Sequence, residues 1–189
     1  MTRPQAPDEW SNWLPAAVRE VEAFLAEAGW DQPPQLFALV PTAELVRREP
    51  GLAERLPSVE GLTPIAQEPL GDQVDLAETL AGICWPDEVA GCALAQEIMV
   101  LPPDAEAELD SAVAASDGAD AVGVARRVAG AHPDRRDARL VVGVLRGGEH
   151  RCLLRLRGAP DGADPLEELV EHPDLAPNLV AALLTTLTD

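Results

Sequence analysis

Two apolar runs separated by a pair of glycines constrain the fold of this chain more than any other feature. The segments "DARLVVGVLR" and "EHRCLLRLR" flank Gly147-Gly148. A two-residue Gly-Gly connection favours a type I′ or II′ turn, because both turns need positive φ angles that glycine adopts readily. The sequence therefore predicts an antiparallel hairpin, in which Val141 pairs with Leu154.

The rest of the chain alternates helical and extended patterns. Apolar residues recur at steps of three and four between Trp13 and Ala28, which predicts a helix. The run "VAGCALAQEIMVL" predicts a central strand, and Pro64 confines another strand to an edge or a bulge. Together with the hairpin, these elements predict an α+β fold with a single, mainly antiparallel sheet of about five strands and helices packed on one face.

The length of 189 residues fits a single domain, residues 1–189. We expect residues 1–12 to be flexible and the acidic, alanine-rich segment 104–118 to form a loop. The order of helices and strands resembles that of the small acidic secretion chaperones, which is an analogy of fold alone.

The chain is strongly acidic, with a formal net charge of -19. Phosphate backbones and anionic lipid surfaces are repelled by such a charge, so we expect neither a nucleic acid nor a membrane as partner. The N-terminus lacks a secretory signal pattern, and no apolar run of about 18 residues occurs. These features predict a cytoplasmic protein, in which Cys92 and Cys152 are buried free thiols.

Motifs of common catalytic chemistry are missing from the sequence. It contains no Gly-rich phosphate loop and no nucleophile elbow, and His132, His150 and His172 lie far apart on unlike elements. We therefore predict no catalytic residue, no metal and no cofactor.

Three arginines form a stripe on the second strand of the predicted hairpin. Arg151, Arg155 and Arg157 alternate along it, and we expect them on the same face as Leu140 and Val142. Such a stripe can hold an anionic ligand or the carboxylates of a partner. Alternatively, these arginines protect a sheet edge or pair with acidic loops of the chain itself.

Two of the predicted apolar strands are each preceded by a tryptophan and a nearby aspartate. Trp30 precedes Asp31, and Trp85 lies two residues before Asp87. If the two loops meet at one end of the sheet, they form a pocket with aromatic walls and polar anchors. Alternatively, each tryptophan covers one end of the core.

The final helix, predicted from Pro177 to about Leu187, has leucine at every fourth position and no charge on its remaining face. A helix at the surface of a monomer usually carries charged residues there. We therefore predict that Leu179, Leu183 and Leu187 form an interface, with a homodimer as the commonest arrangement.

The segments "AGWDQPPQLFALVPTAEL" and "WPDEVAGCAL", together with the hairpin, resemble a family of acidic proteins from high-GC actinobacteria. The resemblance covers most of the chain and implies no activity and no catalytic residue. We expect a non-enzymatic binding or adaptor protein, with a chaperone-like role, whose partner is another protein or a second copy. The alternative is an enzyme or a small-ligand-binding protein that uses a pocket near Trp30 and Trp85 with the arginine stripe.

Overall fold

An antiparallel sheet forms the centre of the structure, a computed structural model that describes residues 7–56, 58–68, 70, 75–101, 103–115, 121–132, 135–158 and 169–188. Its strands are β1 (Gln35–Pro41), β2 (Leu62–Ala66), β3 (Gly91–Val100), β4 (Arg136–Leu145), β5 (His150–Leu156) and β6 (Leu169–Glu171). Their order across the sheet is β2-β1-β3-β4-β5-β6. The predicted α+β class with one antiparallel sheet is confirmed, with six strands in place of about five.

The described part of the chain also contains α1 (Pro7–Ala28), α2 (Thr42–Arg48), α3 (Leu76–Ala81), α4 (Pro103–Ala114), α5 (Ala121–Ala131) and α6 (Pro177–Thr185). None of these helices is long and apolar enough to cross a membrane. Helix α1 begins at Pro7, because proline suits the first helical turn. Residues 7–12 are therefore helical, whereas we expected them to be flexible, and residues 1–6 lie outside the described residues.

Helix α4 occupies most of the segment that we expected to be an acidic loop, so that expectation is wrong for residues 104–114. Alanine, glutamate and leucine are all favourable in helices, and these residue types dominate the segment. Helix α4 packs against α5, and Ala105 and Ala129 are buried. Residues 116–118 of the expected loop lie outside the described residues.

Helices cover both faces of the sheet, which corrects the expectation of helices on one face. Helix α1 packs on one face, here called the α1 face, and α3 and α6 pack on the opposite face, here called the α6 face. Strands β3 and β4 are buried on both of their alternating sides, so each face of the sheet needs its own covering layer.

The β4–β5 hairpin is present, as the sequence predicts, but its turn has three residues. The N–H of Leu145 donates to the carbonyl of Glu149 over 2.8 Å, which leaves residues 146–148 as the loop. Gly148 has a φ of 97°, the left-handed conformation that ends a three-residue hairpin loop.

The extra loop residue shifts the register by one, so the predicted pairing of Val141 with Leu154 is wrong. Val141 pairs with Leu153 on the α1 face, whereas Leu154 lies on the α6 face. A shift of one residue moves every side chain of a strand to the other face. The arginine stripe therefore lies on the α1 face, away from Leu140 and Val142, which we expected beside it.

Strand β2 is an edge strand, as Pro64 predicts. The N–H of Gln67 donates to the carbonyl of Leu36, and the N–H of Thr42 donates to the carbonyl of Gly61. In an antiparallel pair, every second residue directs its N–H and C=O groups towards the partner strand. The two bonds show that Pro64 is not one of these residues, so an N–H at this position would point away from β1, towards the free edge of the sheet. The missing N–H of Pro64 therefore costs no bond between β1 and β2.

Replacing Gly91 with alanine should destabilise the fold. An added Cβ would meet the carbonyl oxygen of Val144 and lie 2.8 Å from Cδ2 of Leu145, and a carbonyl inside the sheet cannot move aside. We expect the free energy of unfolding to fall by about 2 kcal/mol. Urea titration measures this loss, with Gly51→Ala as control because nothing lies within 4 Å of a Cβ there. Equal unfolding midpoints for the two variants would contradict this account of the packing.

Candidate functional site

A row of charged residues crosses three strands where the apolar core of the α1 face ends. Glu97 of β3 pairs with Arg139 of β4, and Arg139 pairs with Arg155 of β5. The neighbouring row on the same face is apolar and consists of Ala95, Val141 and Leu153. The α1 face therefore changes from apolar to charged within one row.

Arg139 is at the centre of this row and is almost fully enclosed. Its side chain is 2% exposed. Nη1 lies 3.7 Å from Oε1 of Glu22 in α1, and Nη2 lies 3.6 Å from Oε1 of Glu97. The guanidinium also donates a hydrogen bond to the carbonyl of Gly29, just after α1. A buried cation needs such partners, because it has given up its hydration.

Glu22 connects α1 to the sheet through Arg155 as well. Both oxygens of the Glu22 carboxylate accept hydrogen bonds from Arg155, one from Nε and one, over 2.8 Å, from Nη2. This two-point geometry is the strongest that an arginine and a carboxylate form. We call Glu22, Glu97, Arg139 and Arg155 the buried charge cluster, and it attaches α1 to three neighbouring strands.

The loop after α1 is fastened to Glu97 by its backbone. Gly29 and Asp31 have φ angles of 88° and 65°, so both adopt the left-handed conformation. The N–H groups of Asp31 and Gln32 donate to the two carboxylate oxygens of Glu97 over 3.0 and 3.1 Å. Successive N–H groups in such a turn form an anion-binding concavity, here occupied by a side chain of the same protein.

Trp30 stacks on two arginines, and Asp31 pairs with one of them. The Cζ atoms of Arg139 and Arg157 lie 4.7 and 5.3 Å from the centroid of the Trp30 ring, within the range of cation–π contacts. The carboxylate of Asp31 accepts two hydrogen bonds from Arg157, of 2.9 and 3.1 Å. These bonds lower the pKa of Asp31 and raise the pKa of Arg157. The pair lies at the surface, since the Asp31 side chain is 75% exposed.

A cleft of about 600 Å³ opens beside the Asp31–Arg157 pair. It lies where the ends of β3 and β4 meet α4 and α5, and we call it the α4–α5 cleft. Its apolar lining consists of Ile98, Met99, Leu101, Leu109, Ala125 and Ala129. Its charged lining consists of Asp31, Glu97, Asp137 and Arg157. Its volume falls within the range of known binding sites, and the cleft is open to solvent.

The structure gathers four of the predicted site residues in this region. Trp30, Asp31, Arg155 and Arg157 all lie on the α1 face at this end of the sheet. Two of the predicted arginines thus pair with acids of the chain itself. Arg151 lies at the start of β5, is exposed and lines a separate recess of about 430 Å³ beside the hairpin loop.

Trp85 and Asp87 do not belong to this region. Trp85 packs on the α6 face, near the start of β3, and its Nε1–H donates to Oγ1 of Thr186 over 3.0 Å. Asp87 is exposed in the turn that follows. The predicted pocket that joins Trp30 and Trp85 is therefore not formed, and Trp85 covers an end of the core.

Arg146 ties the loops together at this second end of the sheet. Its Nε donates to the carbonyl of Val89 over 2.9 Å, and its Nη2 donates to those of Trp85 and Pro86 over 2.9 and 3.0 Å. Its Nη1 donates to the carbonyl of Leu187. One guanidinium therefore joins the turn before β3, the hairpin loop and the chain just after α6.

The predicted interface on the last helix is wrong for Leu183 and Leu187. These side chains are 0% and 5% exposed and pack against the α6 face, and Leu179 is partly buried in the same cluster. Leucines at this spacing serve the core of the chain itself. The outer side of α6 carries Asn178, Ala181 and Thr185.

Sequence reasoning did not identify Glu22, Glu97 or Arg139 as site residues. A signal was present for Glu22, which lies four residues after Val18 and so falls within the apolar stripe of α1. A charged residue at such an inward position indicates a buried ion pair. Its partners on the sheet become apparent only once the register is known.

The cysteines are free, and burial distinguishes them. Cys92 and Cys152 are buried, as predicted, and Cys84 is exposed. Burial raises the pKa of the Cys92 thiol to about 11 and also raises the pKa of Cys152. Among the described residues, no group of three or more His, Cys, Asp or Glu side chains is placed to hold a metal ion.

Removing the charge of Glu22 should destabilise the fold severely. The variant Glu22→Gln leaves Arg139 buried and Arg155 without its carboxylate partner in α1. Because breaking a buried pair leaves a charge uncompensated, we expect a loss of about 3 kcal/mol in the free energy of unfolding. Chemical denaturation measures it, with the exposed Glu27→Gln of the same helix as control. If both variants lose the same stability, the buried charge cluster does not hold α1 to the sheet.

The Cys92 thiol should make stability depend on pH in alkaline solution. Its folded-state pKa of about 11 exceeds the ordinary thiol value of 9.0, so its contribution is complete below about pH 9 and is lost as the pH rises to 11. The chain contains no lysine and no tyrosine, which leaves thiols as the side chains that titrate in this window. We expect the free energy of unfolding to fall by about 2 kcal/mol across it.

Urea titrations between pH 9 and 11 test this dependence. The variant Cys92→Ala should show a clearly flatter profile, whereas the control Cys84→Ala should keep most of the wild-type slope because it leaves the buried Cys92 thiol in place. Parallel profiles for Cys92→Ala and the wild type would exclude Cys92 as the source.

Comparison with known proteins places these features within one family. The family model described as PPA1309-like protein matches residues 14–188, a span that includes the buried charge cluster and the α4–α5 cleft. A search of curated proteins and a search of solved structures each gave no match to the chain. Because the family model covers nearly the whole sequence, the chain belongs to the PPA1309-like protein family.

Proposed function

We propose that this chain is a non-enzymatic binding or adaptor protein whose binding site is the α4–α5 cleft. The observation that carries the proposal is an apolar wall that ends in a charged rim held in place by the fold. Asp31 is bonded to Arg157, and Glu97 accepts two backbone N–H groups. Because these groups are positioned before a partner arrives, less conformational entropy is lost when the partner binds.

The state of two kinds of titratable group disfavours general-acid and thiol chemistry at the cleft. Asp31 has a pKa below its ordinary value, so at neutral pH it is a carboxylate that can pair with a cation but cannot act as a general acid. The thiols of Cys92 and Cys152 lie on the α6 face, away from the cleft, and their raised pKa values make them poor nucleophiles.

An enzyme or a small-ligand-binding protein is the second candidate. The cleft volume of about 600 Å³ falls within the range of small-molecule sites. In this version the ligand contacts Asp31 and Arg157 beside Trp30, and Trp85 has no part in the site.

The proposal also covers the partner of the protein, its location in the cell and its source. The partner is another protein or a second copy of the chain, because the net charge of -19 disfavours nucleic acids and anionic membranes. An exposed, unpaired Cys84 fits the reducing cytoplasm. The chaperone-like role and the actinobacterial source stay predictions from the sequence.

Binding at the cleft can be tested before any partner is known. We expect a panel of cationic, neutral and anionic aromatic fragments to contain members that shift the amide NMR signals of Met99, Ala125 and Arg157. The variant Ala125→Phe, which fills the cleft, should abolish these shifts, whereas Ala107→Phe on an exposed position of α4 should not. If no fragment of any charge moves these signals, the cleft is not a binding site.

A further inference from the structure

We infer that the α4–α5 cleft takes an amphipathic helical segment of a partner protein, with basic side chains at one end. The inference rests on the proposed function and specifies the chemistry of its partner. Its basis is one juxtaposition, in which an apolar wall from α4, α5 and the end of β3 stands beside an excess of carboxylates.

The charge of the rim favours a cation. Asp31, Glu97 and Asp137 line the cleft together with one arginine, Arg157. Arg157 is already bonded to Asp31, which raises the pKa of the guanidinium. The nearby negative charges of Asp137 and Glu97 raise this pKa as well. Glu97 also faces the buried Arg139, so Asp137 is the carboxylate that makes the lining negative, and the net charge of the whole chain has the same sign. Basic side chains are attracted to such a rim, and acidic ones are repelled.

The wall of the cleft favours an apolar body. Met99 lines it and is 42% exposed, so part of its side chain is open to contact at the cleft. Methionine is flexible and adapts to different apolar partners. Ala125 and Ala129 on the opposite side are small and leave room for larger side chains of a partner.

The helices around the cleft favour a helical partner. One residue of α4, Leu109, and two residues of α5, Ala125 and Ala129, line the cleft, and the two alanines lie one turn apart on the same side of α5. A partner helix presents apolar side chains at the same spacing, at positions i, i+4 and i+7. A helix satisfies its own backbone groups, so it can enter an apolar cleft that offers few polar ones.

The test uses the full chain and a synthetic helical peptide of fourteen residues, with leucine at i, i+4, i+7 and i+11 and two arginines at its C-terminus. One control peptide has glutamate in place of both arginines, and a second has serine in place of the leucines. Benzylamine serves as a small cation without a helical body. Binding is followed by calorimetry and by the amide NMR signals of the cleft.

We expect the arginine peptide to bind and shift the signals of Met99 and Ala125. Both control peptides should bind at least about tenfold more weakly, and the affinity of the arginine peptide should fall with added salt. The variant Asp137→Asn should weaken its binding several-fold, while Asp110→Asn, on an exposed position of α4, should leave it unchanged. Circular dichroism of each variant verifies that the fold is intact.

Three results would overturn the inference. Equal binding of the arginine and glutamate peptides would exclude selection by charge. Binding of benzylamine without binding of the arginine peptide would make the cleft a small-cation site, which favours the second candidate, a small-ligand-binding protein. If no peptide binds while neutral or anionic fragments do, the partner chemistry is wrong and the cleft remains a binding site.

Discussion

The enclosed guanidinium of Arg139 is the interaction on which the architecture of the α1 face depends. An arginine cannot lose its charge inside a protein, so every group around it must be arranged to compensate that charge. Glu22 comes from α1, Glu97 from β3, and the carbonyl of Gly29 from the loop between α1 and β1. The helix, the sheet and the loop are therefore placed relative to one another by one cation. Glu97, which also lines the α4–α5 cleft, is held in place by this arrangement.

A second arginine, Arg146, joins several segments of the chain at the other end of β4, and its partners are of a different kind. Arg146 lies seven residues after Arg139 and is surrounded by backbone carbonyls where Arg139 has carboxylates. Carbonyls at the ends of turns and helices lack partners of their own, so a guanidinium with five donors satisfies several at once. The two ends of the sheet thus differ in character. One presents paired charges beside a cleft, and the other is closed by hydrogen bonds around Trp85 and α6.

Much of the fold could be predicted from local patterns, and the site largely could not. Helix α1, the edge position of β2 and the existence of the hairpin follow from periodicity and from single prolines and glycines. The hairpin register could not be predicted in this way. Two glycines suggest a two-residue turn, but Arg146 also belongs to the loop, where its side chain contacts the turn before β3. That single residue decides which face the arginines of β5 occupy. Likewise, the leucines after Pro177 fit an interface as well as a core, and only the position of α6 on the sheet decides between them.

The proline in β2 limits how this molecule can associate with others. Along its free side the strand can offer outward N–H groups from Leu62 and Ala66, separated by about 14 Å at about 3.4 Å per residue, with Pro64 between them. An incoming strand finds no donor at the middle of that row, and the described part of β6 at the opposite margin has three residues. Within the residues that the structure describes, neither margin offers a long continuous row of donors and acceptors, which disfavours the extension of one copy's sheet by another. Contacts through side chains are then the more favourable way for another molecule to bind this sheet.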